Sequence, residues 1–148
     1  GRRMRHTQKI HECDVCVVGG GLVGAFAALS LAKTNAKVTV LEQYDPTHTH
    51  GSSHGDGRIF RFAYPIPEYS ELALKAKPGW AELQEKAGEA LLVGQGGLDI
   101  GHQDSEHIVG TMKTLDSLGV PFEVYGPGEL EKRFPQFSLR KEEVAIYQ

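Results

Sequence analysis

Two short apolar runs near the start of the chain flank a stretch that is rich in alanine and leucine. The runs at 14–18 and 38–41 predict β-strands, and the stretch at 22–33 predicts a helix whose small residues suit close packing on a sheet. Asn35 is a suitable residue to end that helix. Because the second run is almost continuously apolar, we expect a strand buried on both faces, as in a parallel sheet. This order predicts a βαβ unit.

The rest of the chain alternates helix and strand patterns. Helices are predicted at 68–86, 105–118 and 127–134, and short strands at 91–93, 98–100, 121–125 and 144–147. Pro78 should kink or split the first of these helices, since an interior proline costs ~3 kcal/mol. Ser105 is suited to cap the second helix and Gly119 to stop it. A single βαβ pair does not complete a doubly wound sheet, so we expect the chain to be the front part of a longer protein.

A glycine-rich turn joins the first strand to the first helix. Gly19, Gly21 and Gly24 have the spacing G-x-G-x-x-G, and Glu42 ends the second strand. In this order the first glycine permits a tight turn, the second lets the backbone approach a pyrophosphate, and the third lets the helix pack closely. The acid accepts hydrogen bonds from a ribose. The pattern favours a dinucleotide site over a bare turn that joins a strand to a core helix. The predicted cofactor-binding residues here are Gly19, Gly20, Gly21, Leu22, Val23, Gly24, Glu42 and Gln43.

Composition limits the class of partner. With 148 residues, a net charge of −3 and no apolar run near the ~18 residues that a membrane helix needs, the chain is not expected to bind nucleic acid or a membrane. Cys13 and Cys16 would point to opposite faces of the first strand, too far apart for a disulfide, so we expect ordinary strand packing. Two unpaired cysteines favour a reducing compartment, and the sequence does not decide between the cytoplasm and the peroxisome. The basic segment 1–12 is predicted to be a disordered tail, with a targeting remnant as the alternative.

Histidine is concentrated in the polar loop at 43–57. His48, His50 and His54 lie close to Asp56, and three imidazoles with a carboxylate are chemically sufficient for zinc. However, the loop follows directly on Glu42, where it should run along a cofactor. In addition, Arg58 and Arg61, which follow the loop, would repel a cation. We therefore predict a loop that lines the cofactor and holds no metal; a plain solvated loop is the other alternative.

The end of this loop carries a more specific motif. It reads Gly51-Ser52-Ser53-His54-Gly55-Asp56-x-Arg58-Ile59-x-Arg61-x-Ala63-Tyr64. Behind a dinucleotide fingerprint, this motif resembles the sarcosine oxidase family of flavin amine oxidases, which includes N-methyltryptophan oxidase and pipecolate oxidase. The likeness continues to Pro135 but covers less than half of a family member. It implies an α/β fold with a Rossmann-type FAD-binding domain and part of an interleaved substrate domain. We assign residues 13–65 to the N-terminal part of the FAD-binding domain. Residues 66–148 are expected to continue that domain and to begin the substrate domain.

The resemblance also implies a chemistry. Family members use FAD to oxidise the C–N bond of an N-methyl or cyclic secondary amino acid, with imine hydrolysis and release of hydrogen peroxide to the medium after reaction with O2. The implied catalytic residues are His54 and Arg58, beside the flavin ring, and Arg61, at the substrate carboxylate. The implied cofactor contacts of the loop are Gly51, Ser52, Ser53, His54, Arg58 and Ile59.

Several alternatives stay open at this point. The substrate could be a fructosyl amino acid or a D-amino acid, the chain could be a truncated FAD-binding product without its own activity, or the cofactor could be NAD. The resemblance favours a monomer. The sequence decides neither the exact amine nor whether FAD is attached covalently.

Overall fold

The computed structural model of the protein describes residues 10–55 and 57–148. Most of the predicted tail, residues 1–9, and Asp56 of the loop motif therefore lie outside the described residues. The described chain divides into two compact units, one ending at Arg58 and the other running from Ile59 to Gln148. Within the described residues no helix is long and apolar enough to span a membrane.

The first unit is the predicted βαβ arrangement. It contains β1 (Val15–Val18), α1 (Leu22–Ala32) and β2 (Val38–Leu41), and the two strands pair in parallel with Val15 opposite Val38. Helix α1 ends at Ala32 with Lys33 as its C-cap, and Asn35 lies in the turn that follows with a φ of 64°, a left-handed conformation that asparagine tolerates better than most residues.

The strand packing of the first unit differs from the prediction. Val40 is 43% exposed and Leu41 53% exposed, so the expected burial of β2 on both faces is wrong for the described residues. The physical reason is that the described residues form a sheet of only two strands, which leaves apolar area uncovered. Cys16 is exposed for the same reason, and Cys13 is half-buried just before β1; both are free thiols.

The second unit combines helices with an antiparallel sheet. Its elements are α2 (Pro67–Ala87), β3 (Leu98–His102), α3 (Glu106–Ser117), β4 (Glu123–Tyr125), α4 (Glu129–Arg133) and β5 (Glu143–Tyr147). The strand order is β3-β5-β4, with β5 in the centre. Ser105 caps α3 as predicted, since its hydroxyl accepts the N–H of Ile108.

The structure differs from the prediction at two places in this unit. Residues 91–93 do not form a strand, because the N–H groups of Leu91 and Leu92 donate to the side-chain oxygen of Gln84 at 3.0 and 3.3 Å instead of to a neighbouring strand. Pro78 does not split α2, which is one helix of 21 residues, and a kink at Pro78 stays a prediction. A proline removes one backbone hydrogen bond from a helix, and the turns on both sides keep theirs.

The core of the second unit fixes the segment that leads into α2. Ala63 and Phe62 pack with Ile108, Leu115 and other core residues. The Ser70 hydroxyl donates to the Phe62 carbonyl at 2.6 Å. These contacts hold the backbone between Arg61 and Tyr64 against the two long helices of this unit.

Candidate cofactor and substrate site

The glycine turn of the first unit has the geometry that a dinucleotide requires. Gly19 has a φ of 99°, which side chains rarely tolerate, and its N–H donates to the Leu41 carbonyl at 2.8 Å. A Cβ on Gly24 would lie 2.0 Å from the Gly19 carbonyl oxygen. Helix α1 therefore approaches β1 as closely as it does only because Gly24 has no side chain.

The loop at 51–55 lies against the start of α1. The Leu22 N–H donates to the Ser53 hydroxyl oxygen at 3.0 Å, and a Cβ on Gly21 would lie 3.1 Å from that same oxygen. The first N–H groups of a helix have no partner within the helix and attract anions. Because a hydroxyl that accepts a hydrogen bond still has a hydrogen to donate, Ser53 can contact a phosphate while it holds the loop in place.

Glu42 is fixed by backbone donors at the end of β2. Its Oε2 accepts the Gly20 N–H at 2.7 Å, and its Oε1 accepts the N–H groups of Gln43 and Tyr44 at 2.7 and 3.1 Å. These bonds, that of Gly20 first, lower the pKa of Glu42 below its ordinary value. An ionised carboxylate has about four acceptor positions, so Oε2 keeps room for a ribose hydroxyl.

Sequence reasoning missed one neighbour of Glu42, because it considered His48 only as a metal ligand. The His48 N–H donates to the Asp45 carbonyl at 2.9 Å, which closes a β-turn with Pro46 in its second position. The turn brings His48 Nε2 to 3.5 Å from Glu42 Oε1. Asp-Pro followed two residues later by histidine was the available signal, since proline favours that turn position.

Tyr44 and His50 enclose the His48 ring. Tyr44 meets it edge-on with ring centroids 5.1 Å apart, and Tyr44 itself stacks on His50 at 4.1 Å. These residues line an open depression of about 530 Å³ beside the end of β2. Among the described residues, no three or more histidine, cysteine or carboxylate side chains are grouped so as to hold a metal ion.

The two predicted flavin-facing residues lie in the same loop. Arg58 Nε donates to the Ser52 carbonyl at 2.9 Å, and Nη1 donates to the Gly57 carbonyl at 2.7 Å. The guanidinium thus ties the two ends of the loop together while its outer face is exposed. His54 lies between these ends and is exposed.

Arg61 belongs to the second unit, where its guanidinium carbon lies 4.7 Å from the centre of the Tyr64 ring. Both border an open apolar depression of about 510 Å³, lined further by Ile59, Phe60, Tyr69, Leu72, Ala73 and Ala76. Within the described residues no carboxylate pairs with Arg61. Ile59, a predicted cofactor contact, is 88% exposed.

The spacing Arg58-x-x-Arg61 would put both arginines on one face of a helical turn, but the structure has no helix there. Residues 57–64 form neither helix nor strand. Pro65 disfavours helical backbone at the residue before it, and the Tyr64 N–H bonds the Phe62 carbonyl in a three-residue turn at 3.0 Å. The two arginines also belong to different compact units.

Taken together, the turn, the helix start and the acid fit a dinucleotide with a pyrophosphate and a ribose, so the first unit is of the nucleotide-binding βαβ class. Residues 14–147 match the family model described as DAO, FAD dependent oxidoreductase. The chain therefore belongs to the family of FAD-dependent oxidoreductases, which confirms the predicted FAD cofactor and Rossmann-type fold.

Relatives of known activity agree with this family. The chain is 34% identical over 136 residues to monomeric sarcosine oxidase of Streptomyces avermitilis, covering 91% of this chain and 35% of the relative. It is 34% identical over 133 residues to peroxisomal sarcosine oxidase of Mus musculus, covering 90% of this chain and 34% of the relative. The chain thus spans about a third of the length of the curated relatives it matches. The sequence-based resemblance to the sarcosine oxidase family is confirmed.

Solved structures with the same fold include two further enzymes. NikD, an unusual amino acid oxidase essential for nikkomycin biosynthesis, superposes with a TM-score of 0.73 at 30% identity, covering 92% of this chain and 36% of its own. L-proline dehydrogenase from P. horikoshii gives a TM-score of 0.72 at 24% identity, covering 90% of this chain and 35% of its own, and shares the fold.

Proposed function

We propose that the full-length protein oxidises the C–N bond of an N-methyl or cyclic secondary amino acid. The observation that carries the proposal is Arg61, which stacks on Tyr64 at the rim of an apolar depression without a carboxylate partner among the described residues. A guanidinium matches a carboxylate through two parallel hydrogen bonds. Apolar walls next to such a cation suit the carbon skeleton of an amino acid.

The proposed reaction balances with O2 as the final oxidant. FAD, when bound, supplies the acceptor for two electrons. The substrate loses a hydride equivalent from the carbon beside nitrogen and a proton from nitrogen to become an imine, which water hydrolyses to an amine and a carbonyl compound. The two electrons pass with two protons to O2 and give hydrogen peroxide.

Residues of this chain have separate roles in the proposal. Gly21, Ser53 and the start of α1 bind the pyrophosphate, and Glu42 binds the adenosine ribose. Arg58, anchored through the Ser52 carbonyl, presents positive charge to the flavin, where such charge favours reduction. His54 lies in the same loop and donates to the cofactor. Arg61 holds the substrate carboxylate.

The proposal extends to partners and compartment. The substrates are a small amino acid and O2, the protein is a monomer, and it works in the cytoplasm or the peroxisome, where the free thiols of Cys13 and Cys16 stay reduced. Among the relatives, the mouse protein is named a peroxisomal enzyme.

The test is peroxide release by the purified full-length protein with sarcosine, pipecolate and a fructosyl amino acid as separate substrates. We expect flavin absorbance and peroxide release with the first or the second. Peroxide with the fructosyl amino acid alone would assign the alternative substrate class. A protein that binds flavin but oxidises none of these amines would contradict the proposed activity, and tight NADH binding without flavin would contradict the cofactor assignment as well.

A further inference from the structure

We propose that His48 is a ribose-binding residue, which completes the site at Glu42 by donating a hydrogen bond to the adenosine ribose. The inference rests on the proposed binding of that ribose by Glu42. His48 would supply a hydrogen-bond donor beside Glu42, whose ionised carboxylate can only accept hydrogen bonds. A ribose hydroxyl both donates and accepts, so it is fully satisfied only by a site that offers both kinds of group.

The hydrogen bonds of His48 decide which ring nitrogen carries the proton. Nδ1 accepts the backbone N–H of His50 at 3.1 Å, so Nδ1 itself carries no hydrogen. In a neutral imidazole the hydrogen is then on Nε2. Nε2 is the atom that lies 3.5 Å from Glu42 Oε1. The donor of His48 therefore points toward the carboxylate.

The distance between these two atoms leaves the Nε2 hydrogen available to a ligand. A separation of 3.5 Å is long for a hydrogen bond between Nε2 and Oε1, and Oε1 already accepts the N–H groups of Gln43 and Tyr44. The Nε2 hydrogen thus has no strong acceptor of its own at Glu42. Because Oε1 is occupied while Oε2 accepts only the Gly20 N–H, the ribose hydroxyl would donate to Oε2 and accept the free hydrogen of Nε2.

The ring is held in this orientation before any ligand arrives. The β-turn from Asp45 fixes the backbone, the His50 N–H fixes the ring rotation, and Tyr44 packs against one edge. The His48 side chain is 19% exposed, which leaves access for a ligand without leaving the ring free to turn. Ordering costs are small for a donor that is already in position.

The test measures binding of ADP and of 2′-deoxy-ADP to the full-length apoprotein, because the acid of this fingerprint recognises the 2′-hydroxyl. We expect the wild-type protein to bind ADP more tightly than 2′-deoxy-ADP. In His48→Ala the ratio of the two dissociation constants should fall about fivefold, which corresponds to the loss of one modest hydrogen bond. His48→Gln, whose amide nitrogen replaces Nε2, should restore it. His11→Ala serves as the matched control, since His11 is an exposed histidine of the first unit outside this loop.

A double variant tests whether His48 and Glu42 bind the same ribose hydroxyl. If Glu42 and His48 act on one hydroxyl, Glu42→Gln combined with His48→Ala should lose less than the two single losses added together. An unchanged preference in His48→Ala, while Glu42→Gln abolishes it, would overturn the role of His48 and leave the ribose site intact. A wild-type protein without any preference would instead overturn the assignment of Glu42.

Discussion

Replacing Gly24 by alanine sets two physical effects against each other. Alanine is the better helix former, and helix propensity alone predicts a gain of about 0.5–1 kcal/mol in the free energy of unfolding. The structure predicts the opposite sign, because the added Cβ would lie 2.0 Å from the Gly19 carbonyl oxygen, a backbone atom that cannot rotate away.

The size of the loss follows from the required movement. Close carbon–oxygen contacts in proteins are about 3.3 Å or longer, so α1 must move from β1 by roughly 1 Å or more. Overpacking of this kind typically costs about 1–3 kcal/mol, which exceeds the gain from propensity. Since the movement also displaces the start of α1, FAD affinity should fall together with stability.

Thermal unfolding of the full-length holoprotein, followed by flavin fluorescence, measures the stability, and the flavin content of the purified protein measures the loss of FAD binding. Gly94→Ala is the control, because a Cβ there meets nothing within 4 Å. Gly21→Ala should fall between the two, since its Cβ meets the Ser53 hydroxyl at 3.1 Å, and a side chain can move aside. A Gly24→Ala protein at least as stable as wild type would refute the close packing of α1 on β1.

The other predictions concern charge and metal. Because the pKa of Glu42 is lowered in the folded protein, its ionised form stabilises the fold at pH values above the ordinary pKa of 4.5. This contribution is lost as the pH falls through the lowered pKa, so Glu42→Gln should flatten the acid side of a plot of the free energy of unfolding against pH. Arg61→Met should weaken binding of a carboxylate inhibitor by roughly 1.5–3 kcal/mol with little change in the flavin spectrum. Arg58→Met should instead slow anaerobic flavin reduction at saturating amine, and wild-type values of both quantities in both variants would remove the two arginines from the site. Elemental analysis should find no zinc bound to the protein, and one zinc per chain that disappears in the combined His48→Ala and His50→Ala variant would contradict the loop assignment. Residues 1–148 expressed alone should aggregate through the unpaired edges of β1 and β2, and a soluble fragment that retains FAD on gel filtration would be evidence against this.

The local features of the cofactor unit could be predicted from the sequence. Strand, glycine turn, helix and acid follow one another with fixed spacing, and each carries its physical reason within a few residues. The bounds of β2 were predicted to the residue, because a short apolar run between polar segments has few other interpretations. Asn35 was predicted to stop the first helix, and the helix ends three residues before it, at Ala32.

Features that depend on distant contacts could not be predicted. The apolar pattern at 91–93 favours a strand, but a single side chain, that of Gln84, takes up the backbone donors there. The contact between His48 and Glu42 depends on how a turn folds back, and spacing alone does not give that direction. Burial of β2 was overestimated, because hydrophobicity predicts that a strand will be covered and not which residues cover it.

The hydrogen bond between the Phe62 N–H and the Gln148 side-chain oxygen, at 3.3 Å, joins residues 86 positions apart. Protein synthesis proceeds at about 5–20 residues per second, so the second partner is made roughly 4–17 s after the first. During that interval the segment carrying Arg61 lacks one of its backbone anchors, whereas β1 and β2 can already pair. The order of translation therefore lets the nucleotide-binding βαβ unit form before the segment around Arg61 has all of its backbone anchors.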